Sequence, residues 1–262
     1  GTIATTAGLT LQATAATTGD NSAADSATAL AGETGSTSDN IAFLADIAGT
    51  TIGAGGTVTG AATLSASAAA SGTKADATAD TLIDNNLGID LGTQILSVGA
   101  AGTVSGTATG TTSSSALTTD GDATANTNVN LTAGLGDGTG TVTTGANGTI
   151  TGTASSTSSA TAAATDADSA VAATVNNDLV SGIDLDTINT GANAAVTATA
   201  VSGQTATASN VGDLTGDTST VTATVGATDF VTGLDSTILN VGGDLTKLSV
   251  GAQLTAAATA SN

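Results

Sequence analysis

A spacing of 46 residues recurs along this chain and constrains its fold more than any other feature. Valine or isoleucine marks each step, at Val58, Val104, Ile150 and Val196. We call these residues anchors, and we add Ile3 before them and Leu254 after them. Alanine stands four residues after every anchor, at Ala7, Ala62, Ala108, Ala154, Ala200 and Ala258. Such constant offsets predict one supersecondary unit stacked on copies of itself.

The array divides into about five repeats and a partial one. The boundaries fall at about 1–55, 56–101, 102–147, 148–193, 194–252 and 253–262, within one continuous array. The first and fifth repeats are longer than the others, and they hold the only aromatic residues, Phe43 and Phe230. We interpret these two repeats as modified for contact, either as caps or as joints between subunits.

Side chains alternate in character after each anchor. Following Val58, every second residue is small and apolar, and the residues between them are mostly Thr, Ser or Ala. A period of two indicates a β-strand, and threonine suits its pleated surface. Stacked in parallel, equivalent residues lie about 4.8 Å apart. The pattern predicts an all-β β-solenoid whose inner ladder and subunit contacts comprise Ile3, Val58, Val104, Ile150, Val196, Leu254, Phe43 and Phe230.

Two questions of architecture stay open at this stage. One repeat can form a single wide coil or two smaller ones. A string of small antiparallel β-sandwiches is the competing fold, although 46 residues of small side chains are short for a sandwich. Composition alone favours disorder, but an unfolded linker has no reason to hold alanine at one fixed offset.

The charge of the chain limits its partners. The formal net charge is −20, from 22 acidic residues against Lys74 and Lys247, with no Arg and no His. Nucleic acid is excluded as a partner, because binding it requires Lys and Arg to displace counterions from phosphates. No stretch is long and apolar enough to span a bilayer, so we expect no membrane insertion. Calcium is the natural counter-charge, since it prefers clustered carboxylate and carbonyl oxygens.

Acidic turns follow the predicted strands and supply candidate metal ligands. The candidate calcium ligands are Asp76, Asp120, Asp122, Asp166 and Asp168. Stacking of the repeats brings these carboxylates to one edge, where like charges repel unless a cation intervenes. The alternative is that they are solvated turn residues, because Asp tolerates the conformations that tight turns need.

The outward-facing threonines suggest a second function. Flat rows of hydroxyl and methyl groups on a β-solenoid resemble the surface of several ice-binding proteins. Enzymatic activity is not expected, because the chain has neither His nor Cys to form an ordinary pair of nucleophile and base.

The recurring phrases permit a comparison with a known class of proteins. Gly-Thr-[Val/Ile]-x-Gly-x-Ala, Thr/Ala alternation and Asp-Gly-Asp turns resemble those of long Ala/Thr/Gly-rich repetitive surface or secreted β-solenoid proteins of bacteria, especially marine cyanobacteria. The resemblance implies an extracellular structural or adhesive role. A start at Gly1 and the absence of methionine indicate either a processed mature form, which favours export, or the ordered part of a longer protein.

These observations lead to one prediction of function. We expect a non-enzymatic, secreted or cell-surface protein that stacks head to tail on copies of itself into a fibre or surface layer, with calcium as a stabiliser. The alternatives are an ice-binding protein with threonine ladders and the repeat region of a calcium-dependent adhesin.

Overall fold

The computed structural model describes residues 1–19, 26–32, 40–41, 49–166, 168–212, 219–226 and 230–262. The strands are β1 (Thr2–Thr18), β2 (Ser26–Ala31), β3 (Asn40–Ile41), β4 (Thr50–Ile52), β5 (Thr57–Thr73), β6 (Asp76–Ile89), β7 (Ile95–Val98), β8 (Thr103–Thr118), β9 (Ala123–Leu135), β10 (Thr141–Thr144), β11 (Thr149–Ala164), β12 (Val171–Gly191), β13 (Ala194–Asn210), β14 (Val221–Val225), β15 (Phe230–Gly242) and β16 (Leu245–Ser261). No helix occurs in these ranges, so the all-β prediction is confirmed for the described residues.

The strands form two parallel sheets. The first sheet has the order β1-β5-β8-β11-β13-β16, and the second has the order β2-β6-β9-β12-β10-β7-β4, with β3 on β6 and both β14 and β15 on β12. The chain passes from a long first-sheet strand to second-sheet strands and then to the next first-sheet strand. This alternation is that of a parallel β-helix or solenoid, and it excludes antiparallel sandwiches. We name each coil by its first-sheet strand.

The anchors lie side by side in the first sheet. Consecutive partners in the register are Ile3, Val58, Val104, Ile150, Val196 and Leu248. The prediction that Leu254 continues this row is wrong, because it lies six residues further along β16, opposite Ser202, with 48% of its surface exposed. An alanine, Ala252, also follows Leu248 by four residues, so the sequence pattern did not distinguish the two leucines.

The interior contains two large apolar clusters and a small one of Ala154, Val180 and Ala200. The first large cluster is mostly alanine, with Leu64, Ile83 and Val129 among its larger members. The second contains the buried anchors and the second-sheet residues Ile89, Leu96, Leu135, Val142, Ile183 and Ile188. Because alanine removes little apolar area from water, the first cluster depends on close approach of the two sheets.

Between the clusters the sheets touch backbone to backbone at facing glycines. The pairs are Gly60 with Gly88, Gly106 with Gly134, and Gly152 with Gly182, and we call them the glycine waist. A Cβ added to Gly106 would overlap the carbonyl oxygen of Gly134, and the other two pairs show the same overlap. The second glycine of the Gly-Thr-[Val/Ile]-x-Gly phrase is therefore required by packing, because no side chain fits there.

The inward face carries polar residues as well as apolar ones, which the simple alternation of the sequence did not reveal. Thr112 donates a hydrogen bond to Ser158 (2.9 Å), Ser158 donates to the Asn177 carbonyl oxygen (2.8 Å), and the Asn177 amide donates to Ser202 (3.1 Å). All four side chains are buried. Buried polar groups are tolerated where they are hydrogen-bonded, and this network meets that condition.

The constant period conceals a local change in the β11 coil. Val171 lies 48 residues after its partner Ala123, whereas Thr187 lies 46 residues after its partner Thr141. The turn after β11 is therefore two residues longer than the turn after β8. The corner within β12 is two residues shorter than the connection between β9 and β10. These changes cancel, so the spacing between anchors stays at 46 residues.

Replacing Gly106 by alanine tests the glycine waist. The added methyl group has to push two backbones apart, so we expect the free energy of unfolding to fall by about 1–3 kcal/mol or more. The melting temperature then falls by about 2–4 °C for each kcal/mol, which thermal unfolding followed by circular dichroism measures. Gly203→Ala is the matched control, because nothing lies within 4 Å of a Cβ added to this first-sheet glycine. Equal melting temperatures for the two variants would contradict the close contact.

Candidate functional site

The two outer strands of the first sheet present long free edges. Among the described strands, β1 pairs only with β5 and β16 pairs only with β13. Each outer strand is 17 residues long, whereas natural edge strands are usually short or protected. A free edge of this kind exposes a row of backbone N–H and C=O groups that can pair with another strand.

Inward-facing apolar side chains are incompletely covered at these edges. The exposed fractions are 38% for Leu9, 52% for Leu248, 52% for Val250 and 48% for Leu254. In the β5 coil, by contrast, Val58 and Leu64 are exposed by 0% and 1%. The edges therefore display core-forming side chains that one further layer of strands would bury.

One inward row changes character from the edges to the middle. Its successive members are Leu9, Leu64, Gly110, Ser156, Ser202 and Leu254. The next inward row reads Leu11, Ala66, Thr112, Ser158, Gln204 and Ala256. Polar residues occupy the middle of both rows, and apolar residues occupy the outer coils. Sequence reasoning missed these rows, and their last members, Leu254 and Ala256, are assigned only when Leu248 is taken as the last anchor.

The turns after the first-sheet strands hold the predicted calcium ligands. Asp76 Oδ1 accepts the backbone N–H of Asp122 at 2.9 Å, and Asp122 Oδ1 accepts the backbone N–H of Ala170 at 2.8 Å. These two carboxylates thus bind the backbone of the neighbouring coil. Asp168 does not stack on Asp122 as expected, because the two-residue insertion in its turn brings Ala170 to that place.

The other two predicted ligands make separate local contacts. The backbone N–H of Asp120 donates to Thr118 Oγ1 at 3.3 Å, and the carbonyl oxygen of Asp166 accepts from Asn210 Nδ2 at 2.8 Å. In the described part of the chain, no group of three or more acidic side chains is arranged to hold a metal ion. Calcium binding at this edge stays a prediction.

Asp184 lies in an unusual electrostatic environment. Asp184 is only 6% exposed and lies in register with Asp235 of β15. Its backbone carbonyl oxygen accepts a hydrogen bond from the backbone N–H of Gly138 at 3.0 Å. Burial, followed by the negative charges of Asp235 and Asp137, raises the pKa of Asp184 from its usual 3.8 to about 6. The folded protein therefore favours the protonated form of this carboxyl group.

The outer face of the first sheet carries regular rows of hydroxyl groups. One row contains Ala4, Thr59, Ser105, Thr151, Thr197 and Ser249, and the next contains Thr6, Ala61, Thr107, Thr153, Thr199 and Gly251. Neighbours within a row are separated by the interstrand distance of about 4.8 Å. Ala4 interrupts the first row, and Ala61 and Gly251 interrupt the second, so the hydroxyl array is most regular on β8, β11 and β13.

Of the two aromatic residues, only Phe230 lies in the described part of the chain. Phe230 begins β15 in register with Leu179, and 66% of its surface is exposed, which corrects its placement in the ladder. Phe43 lies outside the described residues. A role of these aromatics in contact between subunits stays a prediction.

Comparison of this chain with protein families, with curated proteins and with solved structures gives no match. Within the described ranges, no helix is long and apolar enough to cross a membrane. The resemblance to bacterial surface proteins stays a prediction, and the case for a function rests on the geometry of the edges and faces.

The raised pKa of Asp184 predicts a pH dependence of stability. Because its pKa is higher in the folded than in the unfolded chain, its contribution to stability is fully present below pH 3.8 and is lost as the pH rises through about 6. We therefore expect Asp184→Asn to melt at a higher temperature than the wild type at pH 7.5, with the difference shrinking towards pH 4.

The control for this measurement is Asp186→Asn, which removes one negative charge from an exposed position two residues away. Thermal unfolding between pH 4 and pH 7.5 compares the three proteins. The same pH dependence in the Asp184→Asn variant and the wild type would contradict the assignment.

Proposed function

We propose that this chain is an extracellular structural protein whose copies stack head to tail, with β1 of one copy added to β16 of the next. The repeating unit in this proposal is one coil of about 46 residues that contributes to both sheets. The proposed place outside the cell is supported only by the resemblance to bacterial surface proteins.

The match between the two free edges carries the proposal. When the solenoid register continues across a junction, Leu248 of one copy lies beside Ile3 of the next. The like-for-like pairs are then Ala252 with Ala7, Leu254 with Leu9, Thr255 with Thr10, Ala258 with Ala13, Thr259 with Thr14 and Ala260 with Ala15. At the junction, apolar residues therefore face apolar residues on the inner side, and threonines face threonines.

The second sheet supports the same junction. Continued register brings Val221 beside Ala27, Val225 beside Ala31, and Val241 beside Ile52. All of these residues are apolar, so the junction extends the inner clusters of both sheets. A single copy docked in one orientation can thus extend both sheets of its neighbour.

The energetics favour stacking through many small terms. Full burial of a Leu or Val side chain contributes about 1.5–3 kcal/mol, so each half-exposed edge residue contributes about half of that. Backbone pairing along 17 residues adds direction and register. Because β1 and β16 are different surfaces, the contact is heterologous and continues into a filament unless rotation closes a ring.

The charge of the chain opposes stacking and makes it sensitive to salt. Each copy carries a net charge of −20, so neighbouring copies repel one another. Salt screens this repulsion over a Debye length of about 10 Å at 0.1 M. We therefore expect longer filaments at physiological salt than at low salt.

A second candidate function is supported by the outer face of the first sheet. We propose that its hydroxyl rows bind a regular surface such as ice. Threonine is stiff about χ1, so little further ordering of side chains is needed when the rows meet a crystalline lattice. The regular part lies on β8, β11 and β13, with Thr153 near its centre.

Complementary variants test the proposed junction. Leu254→Lys and Leu9→Asp each place a charge against an apolar edge, so we expect neither variant alone to form filaments. In an equal mixture, the two charged edges face each other and the two unaltered edges also face each other. The mixture should then form alternating filaments, which negative-stain electron microscopy and sedimentation velocity detect.

Leu117→Lys is the matched control for these variants, because Leu117 is also 48% exposed but lies on β8, away from both edges. This variant should assemble as the wild type does. A wild-type chain that stays monomeric at high concentration and physiological salt would overturn the proposal, as would filaments formed by either charged variant alone.

Thermal hysteresis tests the binding of ice. Thr153→Lys places a long charged side chain in the middle of the hydroxyl rows and should abolish the hysteresis. Thr124→Lys places the same group on the second sheet and should leave it unchanged. Absence of hysteresis in the wild type, or equal loss in both variants, would reject this second function.

A further inference from the structure

A buried polar space lies beside Gly110, in the middle of the array. It is bordered by the side chains of Asn86, Thr132 and Ser156, and we call it the Gly110 site. Asn86 and Thr132 are 0% exposed and Ser156 is 1% exposed. Gly110 occupies a row in which its neighbours are Leu64 and Ser156, so it is the one member of these three without a side chain.

Two of the bordering residues have unsatisfied polar atoms. Thr132 Oγ1 and both polar atoms of the Asn86 side chain have no hydrogen-bond partner among the residues that the structure describes. A buried polar group without a partner costs about 1–3 kcal/mol. The two residues are neighbours in the register of β6 and β9, so this cost is concentrated in one place.

Three polar atoms converge on the side-chain position of Gly110. The position of a Cβ built on Gly110 is 3.3 Å from Thr132 Oγ1, 3.4 Å from Asn86 Nδ2 and 3.9 Å from Ser156 Oγ.

We propose that the Gly110 site holds one buried water molecule that is part of the folded structure. Buried waters typically make about three hydrogen bonds to polar groups that otherwise lack partners. Asn86 Nδ2 can donate to the water, and the water can donate to Thr132 Oγ1. The three bordering side chains are uncharged, so the site suits water rather than a metal ion.

The third hydrogen bond links the water to the buried polar network. Ser156 Oγ already accepts a hydrogen bond from Asn177 Nδ2 at 3.2 Å, so its own hydrogen is available to the water. Asn177 continues to Ser158 and Ser202. The water thus extends a chain of hydrogen bonds from the β11 coil towards Asn86.

The sequence of the row provides the test. Gly110→Ser introduces a hydroxyl group into a row whose next two members are Ser156 and Ser202. The hydroxyl takes the place of the water, and the melting temperature should equal or exceed that of the wild type. Gly110→Ala fills the same space with a methyl group that cannot hydrogen-bond, and it should melt several degrees lower than Gly110→Ser.

Gly203→Ala corrects for the general effect of replacing a glycine in this sheet, because its added Cβ meets no atom within 4 Å. High-resolution crystal structures of the wild type and of Gly110→Ser provide the direct readout. An ordered water beside Asn86 and Thr132 that is absent from Gly110→Ser supports the proposal. A dry space in the wild type, or equal melting temperatures for Gly110→Ser and Gly110→Ala, would overturn it.

Discussion

In-register parallel pairing of the backbone is the constraint on which this structure depends. Each residue from Thr103 to Thr118 on β8 lies in register with residues on the neighbouring strands that are 46 positions away in the sequence. Side chains of the same row are therefore stacked at the interstrand distance. A residue type that recurs in each repeat thus forms a continuous row along the array. The inner anchors, the outer hydroxyl rows and the two free edges all follow from this one geometry.

The glycine waist gives the coil its shape. Where Gly106 meets Gly134 the two sheets are in backbone contact, so the interior is split into an alanine cluster and a cluster of Val, Ile and Leu. Because most inner positions are alanine, burial of large apolar side chains contributes little to stability. Backbone hydrogen bonds between strands and close packing of the sheets contribute the remainder. Polar residues enter this interior where they form a hydrogen-bonded network, as Ser158 and Asn177 do.

The same polar network relates the interior to the proposed assembly. Polar rows are confined to the middle coils, and the outer coils present Leu9 and Leu254 in the corresponding row. A polar row at a junction would have to find all its hydrogen bonds across two molecules, whereas an apolar row needs only contact. An apolar edge around a polar middle is thus the arrangement that a stacking subunit requires.

The sequence by itself determined the period, the strands and the inward-facing row from Ile3 to Val196, because a repeated side-chain pattern directly reflects a repeated environment. Only the tertiary structure decided which residue is the last anchor, that Asp168 does not stack on Asp122, and that the interior around Asn177 is polar. The period measures the total length of a repeat, so a turn that gains two residues and a corner that loses two leave it unchanged. Leu248 and Leu254 both precede an alanine by four residues, and the backbone register of β13 and β16 is what distinguishes them.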